Sequence, residues 1–383
     1  MGEKYYFDNA ASTRPYGEVT EGLRDYCMNC YANPSSNHSL GFEALKTLDF
    51  ASEWLLKELR LPSKNYEVIY TSGATESANL ALRGTIERSE RLLRSSFAIT
   101  SIEHHCVSQT AAYLERRGAT SCVLKVDKLG QLIPESVSDG INSTTSIASI
   151  IWVNNETGAA QDIKGIVDLV KGINPSTLVH IDAAQAFGKV TQDISGVDMV
   201  SISGHKFHAP KGVGALIVKK GLQLAPIIFG GGQQKNLRSG TINAPMIYAM
   251  GKAARIGIEN GSKEQLQELS SYLLKCFVQE FGEEPLNSML PEGIYSPHIL
   301  NVSFESLKGE VFMRMLEEQD VFVSTSSACS SKAENKDSAL YAMGYGKKRV
   351  DSALRISISV DNTKGQIDYL IDKIKNIKKR LSH

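Results

Sequence analysis

Between about Tyr66 and Val218 short apolar segments alternate with helix-like ones, and this alternation restricts the fold more than any other feature of the chain. The apolar segments are EVIYTSG, SFAITSIEHH, SIASIIWVNNE, TLVHIDAAQ, DMVSISGHK and GVGALIVKK, with ATESANLALRGTI and DIKGIVDLVKGI among the helix-like ones. Alternation at this spacing predicts an α/β domain with a mainly parallel sheet. Ligands of such sheets gather at the carboxyl ends of the strands. The polar and glycine-rich tails of these segments fall there. GGGQQKNLRSGT at Gly230–Thr241 reads as a long ordered loop. A helix-rich start, MIYAMGKAARIGIENG, and then HILNVSFE, VFVSTSSACSS and RISISV predict a second, smaller α/β unit. Ile367, Leu370, Ile371, Ile374, Ile377 and Leu381 follow at helical spacing, so the lysines among them belong to the wet face of a docked helix.

At 383 residues the chain is too long for one small core and fits a large domain with a smaller or comparable one. Its 42 basic and 42 acidic residues cancel, so no charge excess draws it to nucleic acid or an anionic membrane. The start MGEKYYFDNAAS lacks the basic and apolar regions of a signal peptide, and no apolar run approaches membrane-spanning length. The expected location is cytoplasmic. Cys27, Cys30, Cys106, Cys122, Cys276 and Cys329 are too sparse for a disulfide scaffold, and that location would keep them reduced. Cys27 and Cys30 form a C-x-x-C in a helix-like stretch with no second ligand pair. They read as helix residues, and no metal site is expected.

Lys206 in SISGHKFHAPKGVGA stands at a strand tail, 24 residues after Asp182 in LVHIDAAQAFG. Pyridoxal 5′-phosphate needs a lysine for its Schiff base and a carboxylate against its pyridine nitrogen, which keeps the ring an electron sink. Two adjacent strand ends supply both. An Asp after a strand is also a common helix N-cap, and its pairing with Lys206 favours the cofactor role. In TSGATESANL, Ala74 and Thr75 open a helix whose free amides suit a phosphate, although the same residues form a good capping box. Ser203 and His205 complete the cup. His104 and His105 end another strand, and one of the two imidazoles can stack on a flat ring and move protons. Asn154 and Asn155 end a very apolar strand, where an amide needs a partner such as the ring oxygen O3′.

YFDNAAST, YANPSSNHSLG, TSGATESANLA, EHH, VNNETG, DAAQAFGK, SGHKFHAPKGVGAL, GGGQQKNLRSGT, VSTSSACSS and ALRISIS occur in that order over nearly the whole chain. Together they resemble the group I cysteine desulfurases, which supply sulfur for iron–sulfur clusters and tRNA thiolation. The resemblance implies a PLP-dependent transferase of fold type I: a large domain with a mainly parallel sheet plus a smaller C-terminal α/β domain. The implied division is 15–258 for the large cofactor-binding domain, with 1–14 and 259–383 forming the small domain that carries the Cys329 loop. The resemblance also implies a homodimer with two sites at the subunit interface. In its terms Lys206 is the Schiff-base lysine, Asp182 pairs with the ring nitrogen, Gln185 and Asn155 flank O3′, and His104 stacks on the ring. Ala74, Thr75, Ser203 and His205 hold the phosphate, joined by Thr241 of the other subunit. Arg355 would clamp the substrate carboxylate, for which a planar two-pronged donor is suited, with Asn33 beside it.

Cys329 separates this reading from the aminotransferases of the same fold. It stands in FVSTSSACSSKAENKDSAL, a run of small and polar residues that reads as a mobile loop. The implied reaction takes L-cysteine to L-alanine. Lys206 or His104 moves protons, and the thiolate of Cys329 takes the sulfur and passes it to a protein acceptor, a cluster scaffold or a thiolation enzyme. An aminotransferase or selenocysteine lyase of this fold, or a non-catalytic sulfur-relay subunit, is the alternative. Four positions depart from the family pattern: Ser326, Asn236 and Ser359 stand where glycine is usual, and Ala209 where glycine precedes Pro-Lys-Gly. None removes a reactive group.

Overall fold

A computed structural model of the chain describes residues 4–88, 95–305, 307–325 and 338–381. The chain begins with β1 (Tyr5–Tyr6), α1 (Gly17–Asn29) and α2 (Ser39–Glu58). The alternating stretch follows as β2 (Tyr66–Thr71), α3 (Ala74–Ile86), β3 (Ser96–Thr100), α4 (His105–Arg116), β4 (Thr120–Leu124), α5 (Pro134–Gly140), β5 (Thr145–Ile151), α6 (Ile163–Ile173), β6 (Leu178–Asp182), β7 (Met199–Ser203) and β8 (Gly214–Lys219). Two helices, α7 (Ala244–Glu259) and α8 (Ser262–Phe281), lead to β9 (Ile299–Ser303), α9 (Gly309–Glu317), β10 (Val321–Phe322) and β11 (Ser324–Thr325). Short helices α10 (Ala339–Ala342) and α11 (Lys347–Asp351) precede β12 (Ala353–Ser357) and α12 (Lys364–Leu381).

Seven strands form one sheet in the order β2-β8-β7-β6-β5-β3-β4. Only β8 runs against its neighbours, so the other six strands point their carboxyl ends to one edge. Successive side chains on a strand face opposite ways, and the central strands bury both faces. On β7, Met199 packs with Leu80 of α3 and Leu114 of α4, whereas Val200 joins Ile166 of α6 and Ile247 of α7. Helices on both faces explain why these strands read as unbroken apolar runs. β4 escaped the sequence reading because it is an edge strand with mixed exposure. β8 starts at Gly214 because a Cβ there would lie 2.5 Å from Gly73 Cα. That close approach sets the start of α3 against the sheet.

A second sheet, β11-β12-β9, packs its apolar face on α8, α9 and α12. Ile367, Leu370 and Ile374 of α12 are fully buried there, as their helical spacing predicts. The N-terminal segment is stitched into this part of the fold. Tyr5 and Tyr6 pair in parallel with Val321 and Phe322, Asp8 bridges to Ser357, and Phe7 enters the core. Among the described residues no helix is long and apolar enough to cross a membrane.

Candidate active site

The carboxyl edge of the large sheet and the N-terminal segment enclose a cavity of about 690 Å³. Ten residues expected at a cofactor site line it: Ala74, Thr75, His104, Asn155, Asp182, Gln185, Ser203, His205, Lys206 and Arg355. All but Arg355 follow from strands ending at the same edge. β2 delivers the start of α3, β3 is followed by His104, β5 by Asn155 and β6 by Gln185, while Ser203 closes β7 ahead of a 3₁₀ turn ending in Lys206. Arg355 comes from β12 on the opposite wall.

Asp182 is buried at the end of β6. Its Oδ1 accepts the amide of Ala184 at 2.9 Å, and Oδ2 faces the thiol of Cys106 at 4.0 Å. No helix follows, so the N-cap alternative does not apply. Burial pushes its carboxyl up, and a cationic partner would offset that cost. Lys206 Nζ donates to the carbonyls of Ala10 and Ala11 at 2.6 and 2.9 Å. His104 caps α4, with Nδ1 accepting the amide of Cys106 at 3.1 Å. The neutral ring therefore carries its proton on Nε2. Burial lowers its pKa and keeps it neutral, with Lys206 and His105 acting the same way against the pull of Asp182. Burial and the cations Lys206 and Lys211 bring His205 down to about 4.

Arg355 is 6 % exposed, and its guanidinium is held from two sides. Nη2 donates to Asp8 Oδ1 at 2.6 Å and Nη1 to the carbonyl of Asn155 at 2.9 Å. Sequence reasoning gave Asp8 no role, and its place in YFDNAAST was the only signal. Glu103 was also missed. It is pushed up to about 8, first by burial and then by the charge of Asp182, against hydrogen bonds from Thr100 and Ile151.

Three other expected residues are not among the described residues that line this cavity. Asn33 does not line the cavity; it is exposed between α1 and α2, where its Oδ1 accepts the amide of Ser35 at 2.9 Å. Thr241 is exposed at the end of the 230–241 loop and does not line its own chain's cavity. Cys329 lies outside the described residues, as does Ser326. Asn154 satisfies itself locally, taking the amides of Glu156 and Thr157 and donating to Ile102 O, so it builds the turn that presents Asn155. The 230–241 loop is ordered as expected, because Gln234 pairs with both backbone groups of Tyr70 at 2.7 and 2.8 Å. Asn236 takes a left-handed φ of 65°, which asparagine tolerates better than most residues, so the usual glycine is dispensable there. Cys27 is exposed near the end of α1, and no group of His, Cys, Asp and Glu among the described residues has the makings of a metal site.

The family model for Aminotransferase class-V matches residues 5–370. The chain belongs to the class-V aminotransferases. Within this class-V family it is similar to a NifS/IcsS protein homolog of Lactobacillus delbrueckii subsp. bulgaricus, 37% identical over 96% of this chain and 95% of that one. It is 33% identical to the cysteine desulfurase IscS of Clostridium botulinum, over 99% of this chain and 96% of that one. Among solved structures, a NifS-like protein superposes with a TM-score of 0.88 at 33% identity, covering 98% of this chain and 100% of that one. SspA in complex with cysteine gives 0.78 at 30%, covering 94% and 100%.

Pyridoxal 5′-phosphate is the cofactor of class-V enzymes of this kind, and the residues present fit it. A carboxylate is buried with one oxygen on a backbone amide and the other on nothing stronger than a thiol. An amine lies on the neighbouring strand's extension, and the start of α3 offers amides beside Ser203 and His205. When bound, the group supplies an electron sink for bonds at the amino-bearing carbon.

Proposed function

We propose that this class-V chain is a cysteine desulfurase, which converts L-cysteine to L-alanine and leaves the sulfur on Cys329 for a protein acceptor. The observation that carries this is the meeting of Lys206, Asp182 and Arg355 in one cavity whose rim includes Ser324, five residues before Cys329. On the far side of Cys329, Ser338 and Ala339 are tied to Glu156, next to Asn155. The likeness to SspA in complex with cysteine points to the same substrate.

In this reading Lys206 holds the cofactor, Asp182 holds a proton on its ring nitrogen, and Arg355 grips the substrate carboxylate. His104 Nε2 and Lys206 Nζ move protons at the reacting carbons. The thiolate of Cys329 bonds to the substrate sulfur as the C–S bond breaks. The bonding electrons stay with carbon, which takes a proton to become the methyl group of alanine, and Cys329 is left as a persulfide. Cys106 is no substitute nucleophile, because burial, and then the charges of Asp182 and Glu103, push its thiol far above the usual range. The reading includes a two-fold dimer in the cytoplasm, with Thr241 completing the partner's phosphate site, and an acceptor of the cluster-scaffold or thiolation kind.

Cys329→Ser tests it. The variant should keep its cofactor and still show a cysteine-dependent change in cofactor absorbance, yet form no alanine, because a serine hydroxyl is not ionised near pH 7. In the unaltered protein, brief exposure to cysteine should leave a reducible sulfur on Cys329 alone. Alanine formation at the normal rate by the variant, or a persulfide mapped to Cys106, would end the proposal.

A further inference from the structure

A buried contact between His298 and Gln185 plays no part in the reaction as described so far. His298 is fully buried and immediately precedes β9, while Gln185 follows β6 and lines the cavity. His298 Nε2 lies 3.0 Å from Gln185 Oε1, and Ser296 Oγ lies 2.6 Å from His298 Nδ1. Gln185 Nε2 donates to Ala10 O at 2.8 Å, the carbonyl that also accepts from Lys206 Nζ at 2.6 Å.

Only one arrangement of protons satisfies this row. Ala10 O can only accept, so it requires the nitrogen end of the Gln185 amide. Oε1 is thereby turned to His298, and because it too only accepts, the imidazole proton sits on Nε2. Nδ1 is then bare and takes the hydroxyl proton of Ser296. Burial, helped by Lys189, Arg355 and Lys206, pushes His298 well below the ordinary imidazole range, so the ring stays neutral with a single proton. The backbone that carries these two side chains is itself anchored, since Ile358 N donates to His298 O at 3.0 Å and Ser296 N to Gly158 O at 2.8 Å. Donation into Oε1 polarises the amide and strengthens its N–H groups as donors. Without His298, Oε1 would be buried with no donor from that side, and Gln185 would be held by Ala10 alone.

We infer that His298 is a positioning residue, which holds the Gln185 amide in one orientation and strengthens the N–H that meets the cofactor oxygen O3′. The inference rests on the proposed place of Gln185 beside O3′. It predicts that His298 tunes the bound cofactor without touching it.

The test uses the full-length, cofactor-loaded protein with His298→Leu, His298→Gln and Ser296→Ala. Its readouts are the cofactor absorption maximum, cofactor retained on dialysis, and the lysine labelled by borohydride reduction. With Lys206 labelled throughout, His298→Leu should shift the absorption maximum and lose cofactor about tenfold faster, as expected for one lost hydrogen bond. His298→Gln, whose amide can donate to Oε1, should restore most of both. Ser296→Ala should shift the maximum less, in the same direction. A leucine variant with unchanged absorption and retention overturns the inference, as does a glutamine variant no better than leucine. Should the leucine variant not fold, the serine variant decides: a shift supports the inference and an unchanged spectrum overturns it. A label on a lysine other than Lys206 removes instead the cavity reading on which the inference rests.

Discussion

Asp8 and Arg355 stand 347 residues apart in the chain, yet Arg355 Nη2 donates to Asp8 Oδ1 at 2.6 Å. Together with the bond to Asn155 O, this sets the plane of the guanidinium that, in the proposed function, grips the substrate carboxylate. Asp8→Asn keeps the shape and removes the charge-assisted bond. The KM for cysteine should rise about tenfold with a smaller change in kcat. Steady-state alanine formation measures both, and an unaltered KM would show that Asp8 does not orient Arg355.

Asp182→Asn should retain cofactor but lower kcat about a hundredfold, the scale of one preorganised electrostatic group. A neutral amide no longer favours a proton on the ring nitrogen. Absorbance confirms loading and alanine release measures turnover. Near-normal turnover would make Asp182 a structural residue.

Glu156 ties the turn after β5 to the start of α10, accepting Ser338 Oγ at 2.9 Å and Ala339 N at 3.2 Å. Burial pushes its carboxyl up from 4.5 to about 7, against the pull of those two bonds and of Arg355. Between these values the folded chain keeps a proton that the unfolded chain releases, so this contribution to stability is full below pH 4.5 and lost as pH rises through 7. The difference between these values corresponds to about 3 kcal/mol. Glu156→Gln keeps an acceptor and cannot titrate. Urea unfolding from pH 4.5 to 8 should show the variant gaining that amount relative to the unaltered protein. Parallel profiles would mean that Glu156 is already ionised in the folded chain at the lower pH.

Thr241 is exposed and stands away from its own chain's cavity. If it completes a partner's site, Lys206→Ala and Thr241→Val proteins, each inactive alone, should regain partial activity when mixed and allowed to exchange subunits. Alanine formation after mixing is the measurement. A fully active monomer in size-exclusion chromatography would dispose of the shared site.

The cavity was legible in sequence because strand ends carry its chemistry: a buried apolar run that stops at Asp182 or Ser203 leaves a polar residue at the sheet edge. β4 was illegible because its mixed exposure leaves no unbroken apolar run. The roles of Asp8 and His298 were illegible for a different reason. Each depends on a partner more than 100 residues away, at separations of 347 for Asp8 and Arg355 and 113 for His298 and Gln185, and no local pattern announces such a contact. Asn154 and Asn155 look alike in sequence, and the backbone turn alone decides which amide is used for folding.

The stitching of Tyr5–Tyr6 to Val321–Phe322 also bears on how the protein is made. The first strand leaves the ribosome more than 300 residues before the strand it pairs with. At about 5–20 residues per second it waits for roughly 15–60 s. The carbonyls of Ala10 and Ala11 that receive Lys206 travel with that waiting segment. The large sheet can assemble before Val321–Phe322 is made, but the cavity gains its front wall only after that strand has emerged, so cofactor capture follows its synthesis.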